Sequence, residues 1–273
     1  MKILIALFSL LGVINSMCQV PFPSDSLGKY SYEIFTIRYK DAAAHFGTAF
    51  FITRNGSLYA ITAHHTFVSC DSLTKKEFYP FDQAFISLST TMPPIPLVII
   101  KPRDTCSCLT VDKNPDLLVF ELDKKYIPFV NSVDSFMLPP FIGYADAEIY
   151  GQGFTRDSAT LQLTSPHHIH LPSKTFEIGQ FYGDINTKII DSINYYFFVT
   201  TLKFNSKFKG YSGAPVFLQD SASKKWRVAG VITGGMQFGI DNQVKETIIV
   251  TKQDFITDVL NSGHFGLQRP ECR

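Results

Sequence analysis

The chain has 273 residues, 45% of them hydrophobic, 14% aromatic and 18% charged, and its 25 basic and 24 acidic side chains leave a net charge of +1. An apolar share of that size supports a substantial buried core and excludes a disordered chain, while the balanced charge gives no electrostatic footprint for nucleic acid or an anionic membrane. At roughly 100–200 residues per domain, one large domain or two small lobes fit; the 25 phenylalanines and the sparse charge favour a dry, strand-rich interior.

Lys2 precedes an apolar run from Ile3 to Ile14, followed by Asn15-Ser16-Met17-Cys18-Gln19. A short positive region, an apolar stretch and small residues form the layout of a secretory signal peptide, and the run is shorter than the ~20 residues a bilayer span needs. Residues 1–18 are therefore expected to be a signal peptide and 19–273 the mature protein, secreted or periplasmic. A lipid anchor on Cys18 is disfavoured because Asn15 stands three residues before it. No other segment reads as an integral membrane span.

Further along, Gly47–Thr53 and Ser57–Thr62 are strand-like runs on either side of Arg54-Asn55-Gly56, and Asn-Gly between apolar runs signals a hairpin. More strand-like runs follow at Phe85–Ser89, Leu97–Lys101, Leu117–Leu122, Ala147–Gly151, Tyr195–Phe204, Pro215–Leu218, Val228–Thr233 and Glu246–Val250. One helix reads near the C-terminus: Thr251 and Asp254 are spaced as a capping box, apolar residues fall at Phe255, Ile256, Val259 and Leu260, and Gly263 can end it. Many short strands with one terminal helix predict an all-β barrel architecture. Two barrels suit the length, with a divide near residues 130–145, where Pro139-Pro140 sits.

Chemistry-bearing residues occur in three places. Thr62-Ala63-His64-His65 ends the second hairpin strand, where an imidazole can be held rigidly at a cleft as a general base; taken alone, such a histidine reads more readily as a surface or satisfied core residue. Asp116 opens the apolar strand Leu117–Leu122, where a half-buried carboxylate wants a donor such as an imidazole N–H; a turn aspartate is the plainer alternative. Gly210-Tyr211-Ser212-Gly213-Ala214-Pro215 places a serine in a tight glycine turn, with the Gly210 and Ser212 amides available to stabilise an oxyanion. It is followed by Val228–Gly235.

Together these residues resemble the three signatures of the chymotrypsin-like (trypsin-fold) serine peptidases of bacterial type. The chain order His, Asp, Ser is that family's, and the gaps of 51 and 96 residues suit two barrels. The resemblance implies two antiparallel six-stranded β-barrels with a C-terminal α-helix, the first over about residues 29–135 and the second over about 136–262. It implies a catalytic triad of His65, Asp116 and Ser212, and an oxyanion hole from the amides of Gly210 and Ser212. Substrate backbone would lie along Thr233, Gly234 and Gly235, with Ser206 at the floor of the specificity pocket. The expected partner is a protein or peptide substrate, acted on by a monomer with no cofactor and no metal. His65 is preferred to His64 because the family pattern leaves one residue between Thr-Ala and the catalytic histidine.

Some positions depart from the family. Tyr211 stands where many members carry the aspartate that pairs with a newly cut N-terminus, so activation by that ion pair is not expected. Ser206 carries no acid, which argues against strict Arg or Lys preference; Lys207 and Lys209 read as solvated surface residues. The family's loop arrangement brings Cys70 near Cys106 or Cys108, implying a disulfide there, with Cys272 either taking the remaining thiol or staying free. Pro166-His167-His168-Ile169-His170 reads as a polar loop rather than a metal site. Two other classes stay open: an α/β-hydrolase esterase using Ser212 and His264, and a catalytically silent homologue that only binds a partner.

Overall fold

A computed structural model describes residues 27–38, 43–70, 73, 77–78, 81–89, 92–97, 116–133, 148–155, 162–165, 168–170, 177–183, 188–191, 195–200, 210–219, 226–240 and 243–263. The expected signal peptide, Cys18, Cys106, Cys108, Cys272, Ser206, Lys207, Lys209, His167 and His264 lie outside the described residues, as does the side chain of Cys70.

The first sheet is built from β1 (Tyr32–Arg38), β2 (Ala43–Arg54), β3 (Ser57–Thr62), β6 (Gln83–Ser87), β7 (Ile95–Pro96), β8 (Leu118–Leu122) and β9 (Ser132–Val133), with β4 (Ser69–Cys70) and β5 (Glu77–Phe78) forming a separate small ladder. Its order is β7-β6-β1-β2-β3-β8, and β9 adds a short parallel pairing with β2. The β2–β3 hairpin turns at Asn55 and Gly56, both at positive φ (52° and 76°), as the Asn-Gly signal requires. β2 pairs with β1 through Ala49 and with β3 from Phe50 onward, so it changes partner midway and curls the sheet.

The second sheet takes β10 (Glu148–Thr155), β13 (Glu177–Gly183), β14 (Lys188–Asp191), β15 (Tyr195–Thr200), β16 (Pro215–Gln219), β17 (Trp226–Ile240) and β18 (Gln243–Lys252) in the antiparallel order β13-β10-β16-β17-β18-β15-β14. β11 (Gln162–Ser165) and β12 (His168–His170) form a separate two-stranded ladder. His168 and His170 therefore lie on a strand, not in the polar loop expected from the sequence; the alternation around Ile169 is a two-residue strand period. The chain ends in helix α1 (Gln253–Ser262). The architecture is the all-β arrangement with a C-terminal helix expected of the chymotrypsin-like class; among the described residues each of the two large sheets holds seven strands.

Among the described residues two apolar clusters are seen, and strand alternation allots residues to each. Ala49 and Phe51, Leu58 and Ala60, and Leu118 and Phe120 point into a core enclosed by the first sheet, with Tyr32 and Ile34. The residues between them, Phe50, Ile52, Ile61 and Val119, face the other way and meet Phe217, Val228 and Val231 of the second sheet and Ile256 of α1. This second core is the seam between the sheets. Among the described residues no helix is long and apolar enough to cross a membrane.

The helix departs from expectation at its start. Thr251 remains in β18, its hydroxyl bonded to Thr233 Oγ1 at 3.3 Å, and the N-cap is Lys252 with no side-chain cap bond. The capping box does not form because β18 runs directly into α1. The C-terminus behaves as read: Gly263 adopts φ 68° and its amide bonds Val259 O at 3.2 Å. Ile256 is fully buried in the seam, beside partly buried Phe255, Val259 and Leu260. Ile256→Ala should lower the unfolding free energy by about 2–5 kcal/mol, against less than about 0.5 for exposed Asp258→Ala. Urea denaturation followed by the single tryptophan, Trp226, which packs on the same seam, measures the difference.

Candidate active site

The site is assembled where the ends of β3, β8 and the loop before β16 meet. After β3, Ala63 leads into a single 3-10 turn, His64–Thr66. Successive residues of such a turn point about 120° apart, so His64 is buried while His65 faces outward. Asp116 stands just before β8, which pairs with β3 from Thr62↔Leu118 onward. That pairing carries the carboxylate to the histidine 51 residues earlier in the chain.

Asp116 holds His65 at two points. The His65 amide donates to Asp116 Oδ1 at 2.8 Å, and the ring Nδ1 pairs with Oδ2. A carboxylate facing Nδ1 selects the tautomer with the proton there. Nε2 is then an acceptor, and it lies 2.6 Å from Ser212 Oγ. The arrangement is a continuous chain from carboxylate through imidazole to hydroxyl. The His65 side chain is 45% exposed and that of Asp116 24%, so the pair lies at an open surface rather than in a sealed core.

The electrostatics follow from this pairing. Burial of the ring works against the imidazolium, but the hydrogen bond it donates to Asp116 and that carboxylate's negative charge outweigh it, and the His65 pKa rises above 6.5. Asp116 shows the reverse: burial opposes its ionisation, and the His65 ring and amide bonds nevertheless hold its carboxyl below the ordinary range.

Ser212 sits in a loop clamped from both sheets. The Thr48 amide of β2 donates to Ser212 O at 2.8 Å, and Thr48 Oγ1 to Gly210 O at 2.8 Å. On the other side, the Gly213 amide donates to Ile232 O at 2.7 Å and the Ile232 amide to Ala214 O at 2.9 Å. The Ala214 amide closes the turn on Tyr211 O at 2.8 Å, and Tyr211 itself is wholly buried. Gly213 is at φ 90°, and a Cβ there would stand 1.9 Å from Thr48 O and 2.2 Å from Thr62 Oγ1. No other residue fits. Among the described residues, the Gly210 and Ser212 amides donate to no backbone acceptor, whereas that of Gly213 is taken by Ile232 O of β17 and that of Ala214 by Tyr211 O within the loop.

Next to this loop, β17 carries a register shift between Ile232 and Gly234, leaving Thr233 at an irregularity where its hydroxyl faces Ile249 O and Thr251 Oγ1. Thr233 and Gly234 are partly exposed and Gly235 is exposed. The structure thus brings His65, Asp116 and Ser212 into contact and puts Thr233 beside the serine loop through the Gly213–Ile232 bond. Thr48 was not singled out in the sequence; its partner Gly210 lies 162 residues away, and nothing local to Gly47-Thr48-Ala49 marks it. Among the described residues no cluster of three or more His, Cys, Asp or Glu side chains is placed to hold a metal ion.

No protein-family profile matches the chain, and no curated protein matches it. Among solved structures, the chain is similar to the active form of the Rv3671c protease from M. tuberculosis, at 13% identity and a TM-score of 0.47, over 92% of this chain and 89% of that one.

Two measurements test the geometry directly. NMR titration should place the His65 midpoint above 6.5, and Asp116→Asn, which removes both causes of the rise and leaves burial, should bring it below that value. Gly213→Ala combines a positive φ with a backbone clash and should cost more than about 2 kcal/mol of stability. Gly56→Ala has a similar φ but open space around it and should cost about 1 kcal/mol; urea denaturation of both variants separates strain from collision.

Proposed function

We propose that this chain is an exported serine endopeptidase that hydrolyses peptide bonds through an acyl-enzyme intermediate. The observation that carries the reading is the Asp116–His65–Ser212 chain of hydrogen bonds, with Nε2 of the imidazole 2.6 Å from the serine hydroxyl. A hydroxyl is a poor nucleophile until a base takes its proton, and this base is oriented by a third group.

In the proposed reaction, Ser212 Oγ attacks the scissile carbonyl carbon while His65 Nε2 accepts the hydroxyl proton. Asp116 stabilises the resulting imidazolium, the same interaction that raises the His65 pKa. The negative charge on the carbonyl oxygen is met by the amides of Gly210 and Ser212, which have no other backbone acceptor among the described residues. The intermediate collapses as His65 protonates the leaving amine, and the acyl group stays on Ser212. Water then repeats the sequence, giving its proton to His65 as it attacks the ester, and serine is restored. The substrate backbone is assigned to Thr233, Gly234 and Gly235 of β17, the strand segment bonded to the serine loop.

An α/β-hydrolase reading has little support, because the strands pair antiparallel rather than alternating with helices, and the base position is taken by His65. The residues needed for turnover belong to the chain itself, with no cofactor step.

The test is labelling of the mature protein with a fluorophosphonate, which reacts with an activated serine. Wild type should label and should degrade casein; Ser212→Ala and His65→Ala should abolish labelling and lower turnover by about 10⁴–10⁶. Labelling that survives His65→Ala but not His64→Ala would transfer the base role to His64. A folded wild type that neither labels nor cleaves would overturn the peptidase reading in favour of a silent binding homologue.

A further inference from the structure

We infer that Thr48 is a positioning residue for the oxyanion loop, and that its hydroxyl, reaching across from the other sheet, holds the Gly210 peptide in the orientation that catalysis requires. The inference rests on the peptidase reading and deepens it.

Thr48 lies on β2 and is fully buried. Its polar groups are directed at the serine loop and its surroundings. The amide donates to Ser212 O, the hydroxyl donates to Gly210 O, and the carbonyl accepts from Thr62 Oγ1 at 2.7 Å. One residue therefore grips the carbonyls on both sides of Tyr211, whose side chain is sunk in the interior. The amide bond is a strand-like contact that any residue but proline supplies. The hydroxyl bond depends on the side chain, and within an apolar run it is the one polar donor in Thr48-Ala49-Phe50-Phe51-Ile52.

Gly210 is where such a restraint matters. It sits at φ 94°, a region glycine enters freely and leaves as freely. Its amide and its carbonyl are linked through φ and ψ, so a pinned carbonyl limits where the amide can point. Released from Thr48 Oγ1, the same glycine can rotate its amide away from the serine while the amide of Ser212, held through its own neighbours, stays in place. The effect would fall on the charge-bearing transition state and spare substrate binding, because a neutral carbonyl asks less of the donor than an oxyanion does.

The experiment compares wild type with Thr48→Val, which keeps shape and amide but removes the donor, and Thr48→Ser, which restores it. Enzyme concentrations are set by active-site titration so that misfolded protein does not count. Thr48→Val should lower kcat by about 10- to 100-fold with KM unchanged. Its affinity for a peptide boronate, which presents a tetrahedral oxyanion-like oxygen, should fall in proportion, while affinity for the matching peptide product holds. Thr48→Ser should recover most of the loss. A Thr48→Val enzyme that loses thermal stability but keeps wild-type kcat per titrated site, or that loses product and boronate affinity equally, overturns the positioning role alone. A folded wild type without turnover overturns the peptidase reading, and the positioning role with it.

Discussion

Everything at the site depends on an apolar seam between two sheets that each own part of the chemistry. The histidine and the aspartate come from β3 and β8, and the serine comes from the loop that enters β16. Phe50, Ile52, Ile61 and Val119 on one side, with Phe217, Val228, Val231 and Ile256 on the other, set the distance across which an imidazole must reach a hydroxyl. A hydrogen bond of 2.6 Å tolerates little drift. Close packing resists drift because every missing contact is costly, and the Thr48 bonds to Gly210 and Ser212 cross the same boundary at its polar end. The seam supplies adhesion and the polar clamp supplies register.

The way strands serve two cores explains how so small a chain achieves this. β2, β3 and β8 each point alternate residues into the first-sheet core and into the seam. No layer of extra helices is needed to cover the outer face of the first sheet, since the second sheet and α1 cover it. Both faces of these strands are therefore largely apolar, and Phe50 and Phe51, adjacent in sequence, fall in different cores.

That same economy limits what the sequence shows. The hairpin at Asn55-Gly56 and the strands from Leu117 and Pro215 could be read because turn residues or a polar neighbour frame them. β1 was not read: it is buried on both faces from Tyr32 to Ile37, so it lacks the polar alternation that marks a half-buried strand. Thr251 and Asp254 had the spacing of a cap, but the strand claimed Thr251 first, an override of local chemistry by sheet pairing. The residues His65, Asp116 and Ser212 were legible because each sits in a motif with its own local signal, and their order added more. His65 was preferred to His64 on the family pattern alone; in the structure a 3-10 turn buries His64 and leaves His65 exposed, a difference no local sequence signal marks. Thr48 carried no signal at all, because its role exists only after residues 162 positions apart have met.

The seam also joins parts of the chain that lie far apart in sequence. His65 and Asp116 precede Ser212 in the chain, and α1, which packs Ile256 into the seam, comes later still. Helix α1 thus spans the chain's two halves in space: a side chain near residue 256 packs against residues 50–61 and 119, roughly 140 to 200 positions earlier, so the seam is a contact of long sequence separation.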